Sequence, residues 1–180
     1  MDRIEMFGNI AHNIAEAVGW HLDHICRFYE DIPLLVANRA SKNLKELEDI
    51  VTSNSLDSKK TEALLEGIAI EGMAGYHYLA GGNNYVSKTA NAMTDLYARK
   101  NCDYGNSFDK SMDKFGMVVS AIRIGDKVNR LQSLVKKKGQ AAVKDESIAD
   151  TFMDLACYAI MTLIWMVCEG KSEEKEDADE

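Results

Sequence analysis

The sequence predicts an all-α protein built as a multi-helix bundle. The chain has 180 residues but only one proline and 12 glycines. Alanine, leucine, lysine, glutamate and methionine are frequent, and these residue types have high helix propensity. Apolar residues recur at intervals of three or four, without the sustained alternation that a half-buried strand requires. The hydrophobic share of 46% is ordinary for a globular chain and is sufficient for a core.

Three helices are predicted in the N-terminal part of the chain. The apolar spacing places them at residues 2–30, 33–52 and 59–79. Pro33 marks the first boundary, because the residue before a proline avoids the α region. A polar segment, residues 53–60, marks the second boundary and offers capping side chains to the third helix.

Two features of these helices have both a functional and a structural interpretation. His21 and His24 share a helical face and allow metal ligation, but no second ligand pair stands at a zinc-type spacing. Ordinary, partly exposed histidines are therefore favoured. The glycines and alanines of residues 67–75 favour close packing against a neighbouring helix, because a nucleotide loop would require GxxxxGK[ST] spacing.

A Gly-Gly-Asn-Asn turn at residues 81–84 divides the chain into an N-terminal helical extension and a helical core. The extension covers residues 1–80 and the core covers residues 85–169. Within the core the spacing predicts helices at 85–100, 109–135 and 143–169. The loop between the first two helices, NCDYGNSF, is polar and contains two aromatic residues. It could stack on a nucleotide base and form hydrogen bonds with its edge, or its aromatic side chains could fill space in the core.

The C-terminal segments and the composition of the chain limit where the protein can be located and what it can bind. The apolar run 155–168 is too short to cross a bilayer, and residues 170–180 form a charged tail that we expect to be disordered. The net charge of −8 disfavours nucleic-acid binding but permits a small phosphorylated ligand in a basic pocket. Four cysteines without a CxxC pair and a start without a signal peptide predict a cytoplasmic protein that binds no membrane.

Two amphipathic faces carry the candidate chemistry. The helix predicted over residues 109–135 presents Arg123, Asp126, Lys127 and Arg130. The last helix presents, at spacings of four, Glu146, Asp150 and Asp154. Carboxylates suit Mg²⁺, and arginine binds phosphate oxygens as a bidentate fork. The pattern predicts a Mg²⁺-dependent nucleotide site, and the alternative is a set of exposed surface ion pairs.

Three blocks of this sequence resemble a known family. They are DYGNSF at 103–108, RIGDKVNRL at 123–131 and VKDESIADTFMDLACYAIM at 143–161. Together they resemble nucleotide modification associated domain 1, a family common in phage genomes, over about residues 85–166. That family looks like a relative of the all-α MazG-type nucleoside triphosphate pyrophosphohydrolases, which bind Mg²⁺ with an ExxE pair on one helix and an ExxD pair on the next. Here the ExxE pair is missing.

The resemblance implies a role for each candidate residue. The metal ligands would be Asp126, Glu146, Asp150 and Asp154, with Glu146 and Asp150 also catalytic. Phosphates would be bound by Arg123, Lys127 and Arg130, and the base or sugar by Asp103 and Tyr104. The resemblance also implies a homo-oligomer, because helical pyrophosphohydrolases often complete their sites between subunits.

Three functions remain open at this point. The leading expectation is a phage-type, Mg²⁺-dependent hydrolase that cleaves a (deoxy)nucleoside triphosphate between its α and β phosphates. The second is a non-catalytic sponge that sequesters a cyclic signalling nucleotide in phage anti-defence, suggested by the missing ExxE pair. The third is a helical oligomerisation protein in which residues 1–80 form an assembly surface.

Overall fold

The computed structural model describes residues 2–53, 55, 57–82, 86–137 and 147–176. Within these ranges it contains helices and no strand, which confirms the predicted all-α class. The helices are α1 (Arg3–Ile25), α2 (Ile32–Ser53), α3 (Ser58–Leu79), α4 (Val86–Tyr104), α5 (Ser107–Phe115), α6 (Met117–Lys136) and α7 (Ile148–Glu176).

The polar segment predicted as a loop at residues 101–108 is mostly helical. Helix α4 continues to Tyr104 and α5 begins at Ser107, so the connection consists of Gly105 and Asn106 alone. Both have a φ of 58°, in the left-handed region that glycine and asparagine tolerate. A sharp two-residue turn therefore replaces the predicted loop, because the polar residues around it are compatible with helix.

The single helix predicted over residues 109–135 is wrong, because Gly116 divides it into α5 and α6. Gly116 has φ 63° and ψ −155°, a conformation that is almost restricted to glycine. The backbone N–H of Gly116 still bonds the carbonyl of Met112, so α5 ends in a hydrogen-bonded turn. The break separates α5 from α6 and allows the two helices to take different directions.

Helix α7 continues beyond Glu169, where its end was predicted. Residues 170–176 are helical rather than disordered, and residues 177–180 lie outside the described ranges. Lysine and glutamate dominate this segment, and both are good helix formers that need no burial to extend an existing helix. A charged composition therefore does not by itself indicate the loss of helix.

One hydrophobic core runs through the whole bundle. Helix α3 packs against both α2 and α7, α1 packs against α4, and α2 packs against α6. The core contains side chains from α1, such as Phe7, together with α7 side chains such as Phe152 and Ile164. Helices on both sides of the predicted division at residues 81–84 therefore share the same core.

The small residues of α3 permit its close approach to α7. A Cβ atom placed on Gly75 would lie 2.5 Å from Cδ1 of Phe152, and one on Gly72 would lie 2.8 Å from the backbone nitrogen of Ala156. Real Cβ atoms do not approach other atoms so closely, so the two helices would move apart if these glycines carried side chains. The close packing predicted from this segment is confirmed.

Helix α7 contains a long apolar stretch. Between Ile148 and Glu169 its length and a mean hydropathy of 1.7 would suffice to cross a bilayer. However, 67% of this apolar window is buried inside the protein, mainly against α3 and α6. Such burial is typical of the core helix of a globular bundle, so the hydropathy of α7 is weak evidence for a membrane span.

Candidate functional site

A cleft of about 400 Å³ lies where α4, the start of α5, α6 and α7 meet. Helix α4 contributes Tyr97, Lys100, Asn101 and Tyr104. Helix α7 contributes Asp154, Cys157, Tyr158 and Met161. In both helices these residues are spaced i, i+3, i+4 and i+7, so each helix presents one continuous face to the cleft.

The carboxylate of Asp154 holds the three long helices of the cleft together. Its Oδ1 accepts a hydrogen bond from Nζ of Lys100 on α4, and its Oδ2 lies 2.9 Å from Nζ of Lys127 on α6. The Lys100 distance is also 2.9 Å. Because the Asp154 side chain is only 20% exposed, water screens these contacts less than at an open surface.

Two opposing effects determine the protonation states of Asp154 and Lys100. Burial acts to raise the pKa of Asp154, but hydrogen bonds and charges from Lys127 and Lys100 outweigh it and lower the pKa below 3.8. Burial likewise acts to lower the pKa of Lys100, and the bond to Asp154 outweighs it and raises the pKa above 10.5. Asp154 is therefore an anion at neutral pH, and Lys100 is a cation.

Arg123 of α6 adds a further positive charge to the lining of the cleft. Its side chain is exposed and has neither an ion pair nor a hydrogen bond with any residue that the structure describes. Lys100 also lines the cleft, whereas Lys127 lies outside the lining and contacts the same carboxylate, that of Asp154.

Aromatic side chains form much of the remaining wall. Phe108 of α5 and Tyr158 of α7 pack with their ring centroids 5.7 Å apart and an angle of 44° between the planes. Tyr104 stands at the rim with 68% of its surface exposed. Tyr97 stacks on Phe7 at 4.3 Å, and burial raises its pKa to about 12, so its phenol stays neutral.

The predicted phosphate- and base-binding residues divide into two groups. Arg123 and Tyr104 line the cleft. Lys127 is not part of the lining, but its Nζ contacts the carboxylate of Asp154, which is. Arg130 is placed elsewhere, with its Nε donating to Oγ1 of Thr151 near the start of α7. Asp103 is exposed and is absent from the lining, because the helix that continues to Tyr104 turns it away from the cleft face.

The predicted metal ligands are not brought together among the described residues. The Oδ2 of Asp150 accepts hydrogen bonds from the backbone N–H and the hydroxyl of Ser147, so this carboxylate caps α7. Asp126 is exposed on α6, and Asp154 bonds two lysines. Glu146 lies outside the described residues.

A magnesium ion needs several oxygen ligands around one point. In the described part of the chain no three His, Cys, Asp or Glu side chains cluster in this way. The predicted magnesium site therefore stays a prediction, because Glu146, one of its four expected ligands, lies outside the described residues.

The histidine pair of α1 is also separated. Nε2 of His21 lies 3.1 Å from Oε2 of the buried Glu71 on α3, near the guanidinium of Arg39. The ring of His24 packs against Phe28 instead, with centroids 5.3 Å apart. The interpretation of these residues as ordinary histidines rather than a ligand pair is consistent with both contacts.

Several residues of the cleft were missed in the sequence. Lys100 precedes the segment predicted as a loop, and Tyr158 lies in a run interpreted only as core. The available signal was the repeated spacing of 97, 100, 101 and 104 on α4 and of 154, 157, 158 and 161 on α7. The sequence-based prediction instead groups the acidic residues of the last helix at intervals of four. Those positions follow a neighbouring stripe of the helix surface.

One comparison with known proteins covers the part of the chain that contains most of the cleft residues. Residues 100–166 match the family model described as nucleotide modification associated domain 1. The predicted resemblance to this family is confirmed over that segment, which contains most of the residues that line the cleft. Neither the curated proteins nor the solved structures contain a match to the chain. The more distant resemblance to MazG-type enzymes stays a prediction.

Proposed function

We propose that the protein binds a nucleotide, or a closely related phosphorylated small molecule, in the cleft between α4, α5, α6 and α7. The observation that carries the proposal is the exposed guanidinium of Arg123, which has no partner among the described residues and lines the same cleft as an aromatic pair. A guanidinium binds phosphate through two parallel hydrogen bonds, and aromatic rings stack on bases of any sequence.

Other properties of the cleft agree with this ligand class. Asn101 and Ser107 provide hydrogen-bonding groups beside the aromatic side chains. The volume of about 400 Å³ falls within the range of small-molecule sites, which is about 300–1,000 Å³. The matched family is described by its association with nucleotide modification, and its segment contains the cleft.

The contacts of the described residues support nucleotide binding more directly than they support hydrolysis. Cleavage between the α and β phosphates was expected to require Mg²⁺ held by carboxylates. Asp150 instead caps a helix and Asp154 bonds two lysines. A nucleotide sponge, the second expectation from the sequence, needs only the cations and aromatic rings that line the cleft.

Isothermal titration calorimetry with the common ribonucleotides and deoxynucleotides tests the proposal. Arg123→Gln removes the unpartnered guanidinium and is expected to weaken binding at least tenfold, equivalent to about 1.4 kcal/mol. Arg99→Gln is the matched control, because Arg99 is an exposed arginine of α4 outside the cleft lining whose Nε bonds the Asp95 carbonyl. Arg99→Gln changes the net charge of the protein by the same amount as Arg123→Gln, and it should alter the affinity for the nucleotide less than twofold.

Two results would count against the proposal. One is the absence of any measurable binding across these nucleotides. The other is an equal loss of affinity in Arg123→Gln and Arg99→Gln, which would indicate a general effect of protein charge. Turnover is measured separately by incubating the protein with each triphosphate and MgCl₂, and we expect intact nucleotide to be recovered after heat denaturation.

A further inference from the structure

The first turns of helix α1 contact the cleft from behind at two places. The ring of Phe7 stacks on Tyr97 of α4, with centroids 4.3 Å apart and an angle of 9° between the planes. Nη1 of Arg3 lies 2.8 Å from Oδ2 of Asp109, which is in the first turn of α5. Arg3 and Phe7 are four residues apart, so they share one face of α1. The stacked rings therefore fix the start of α1 against α4, and Arg3 reaches α5 from that fixed position.

The ion pair between Arg3 and Asp109 is shielded from solvent. Asp109 is 5% exposed, and the two contacting atoms are buried without an aligned hydrogen bond to any described residue, so their contact is an attraction between charges. Burial raises the pKa of Asp109 above 3.8, and the charge of Arg3 acts against that increase. Removal of Arg3 would leave this buried oxygen without its cation, a change that usually destabilises the surrounding structure.

Helix α5 depends on tertiary contacts of this kind. It has nine residues, and isolated helices shorter than about 12–15 residues are marginal in water. Its first two residues, Ser107 and Phe108, line the cleft, and the ring of Phe108 packs against Tyr158 of α7. Asp109 follows Phe108 directly in the sequence, so a shift of the Asp109 backbone also shifts the aromatic wall.

We infer that Arg3 is a positioning residue for the cleft, and that it acts through Asp109 to hold the start of α5 where the nucleotide binds. The inference rests on the proposed function, since one of its readouts is affinity for the same ligand. Arg3 is not part of the cleft lining and does not need to touch the ligand. The inference gives α1 a role in the site, although α1 lies outside residues 100–166, the segment that matches the family model.

Calorimetry on the full chain with the common ribonucleotides and deoxynucleotides tests this role. Arg3→Gln should weaken each measurable interaction by about fivefold or more, the size of effect expected when a residue acts on a site through another residue. Arg3→Lys keeps a cation for a contact made by one nitrogen, and it should recover most of the affinity. Arg27→Gln is the matched control, because Arg27 forms an exposed ion pair with Asp23 near the other end of α1. It should alter affinity less than twofold.

A double variant separates charge pairing from a general loss of structure. Asp109→Asn removes the buried charge that Arg3 compensates, so the protein with both Arg3→Gln and Asp109→Asn should bind nucleotide more tightly than Arg3→Gln alone. If the two residues acted independently, the double variant would instead bind more weakly than either single variant, and the inference would be wrong.

Hydrogen–deuterium exchange without nucleotide provides a readout that does not depend on binding. The backbone amides of α5 should exchange several times faster in Arg3→Gln than in the unmodified protein, whereas those of α2 should keep their rates. Arg27→Gln should leave both helices unchanged. Circular dichroism verifies folding, and if Arg3→Gln does not fold, Asp109→Asn decides, with faster exchange in α5 and weaker nucleotide binding expected.

The outcomes separate this inference from the proposed function. Unchanged exchange in α5 of a folded Arg3→Gln protein, or equal affinities of Arg3→Gln and Arg27→Gln, would overturn the inference while leaving nucleotide binding intact. In a folded Asp109→Asn protein, unchanged exchange and affinity would do the same. If the unmodified protein binds none of the nucleotides, the proposed function is removed, and the exchange rates still decide whether Arg3 holds α5.

Discussion

Nζ of Lys127 lies 2.9 Å from Oδ2 of Asp154, a residue of the cleft lining, and this ion pair joins α6 to α7. Both side chains are 20% exposed, so the pair is partly shielded from solvent. Lys100 binds the second oxygen of the same carboxylate. The charged groups that form the candidate site therefore also hold its helices in place, and their removal should affect stability as well as binding.

The first prediction concerns the dependence of stability on pH. The pKa of Asp154 in the folded protein is below its ordinary value of 3.8, despite burial, because of its two lysine partners. A carboxyl group with a lowered folded-state pKa stabilises the protein above its unfolded-state pKa, and this contribution is lost as pH falls through the folded-state pKa. We expect Asp154→Asn to lower the free energy of unfolding at pH 7 by about 1–3 kcal/mol.

Urea denaturation of the two proteins at pH 7 and pH 3 provides the measurement. The difference between them should shrink in acid, because the contribution of Asp154 declines once pH falls below its unfolded-state pKa and through its lowered folded-state pKa, and the variant has no such contribution to lose. Asp95→Asn, at an exposed position on α4, should show no such difference at either pH. A destabilisation by Asp154→Asn that is equally large at pH 3 would contradict the electrostatic explanation.

The second prediction concerns the contact between α3 and α7. Gly75→Ala places a methyl group 2.5 Å from the ring of Phe152, whose side chain is fully buried. The ring has no open space to enter, so we expect a loss of about 1–3 kcal/mol from overpacking. Gly19→Ala is the matched control, because nothing lies within 4 Å of its added Cβ atom.

The two variants should change stability in opposite directions. Alanine in the interior of a helix is favoured over glycine by up to about 1 kcal/mol, so Gly19→Ala should raise the midpoint of thermal unfolding. Gly75→Ala should lower it. Equal midpoints for both variants would mean that α3 and α7 are less closely packed than the distances indicate.

The sequence predicted most helices because their apolar spacing reflects burial in one core. Two boundaries were missed for local reasons. Gly116 breaks a pattern that continues on both sides of it, and its unusual backbone angles have no periodic signature. Gly105 and Asn106 form a turn so short that the polar residues next to it remain helical.

Only part of the candidate site was predicted from the sequence, and the cause differs from the one that hid the two helix boundaries. Periodicity shows which residues share a face of one helix, as Arg123 and Lys127 do on α6, although only Arg123 of the two lines the cleft. It does not show which faces of different helices meet. Lys100 reaches Asp154 across 54 positions in the sequence, so its role depends on the packing of α4 against α7 and could not be read from spacing.

The third prediction concerns the start of α7. Oγ of Ser147 accepts a hydrogen bond from the backbone N–H of Asp150, while the Asp150 carboxylate accepts bonds from Ser147 in return. This reciprocal arrangement is a capping box, which satisfies backbone N–H groups at the helix start. Ser147→Ala should lower the free energy of unfolding by about 0.5–2 kcal/mol.

A double-mutant cycle with Asp150→Ala provides the measurement. If the two side chains act as one cap, the double variant should be more stable than the sum of the single effects implies, with a coupling of at least about 0.5 kcal/mol. Additive effects would mean that Asp150 acts independently of Ser147. Ser133→Ala, at an exposed position within α6, is a control for the loss of a hydroxyl group alone.

The fourth prediction concerns thiol reactivity. Burial, followed by the negative charge of Asp154, raises the pKa of the Cys157 thiol to about 12, although Cys157 contributes to the wall of the cleft. The thiolate is the reactive form. At pH 8 we expect iodoacetamide to modify Cys157 on the order of a thousandfold more slowly than the exposed Cys102, whose thiol lies on α4.

Peptide mass spectrometry over a time course measures both rates in the same sample. Modification in concentrated urea is the control, since unfolding removes the burial and the neighbouring charge and should bring the two rates within a few fold of each other. Asp154→Asn removes the second cause of the raised pKa and should accelerate modification of Cys157 but not of Cys102. Folded-state rates within tenfold of each other would contradict the prediction, because they would require a thiol at position 157 that ionises as readily as one in water.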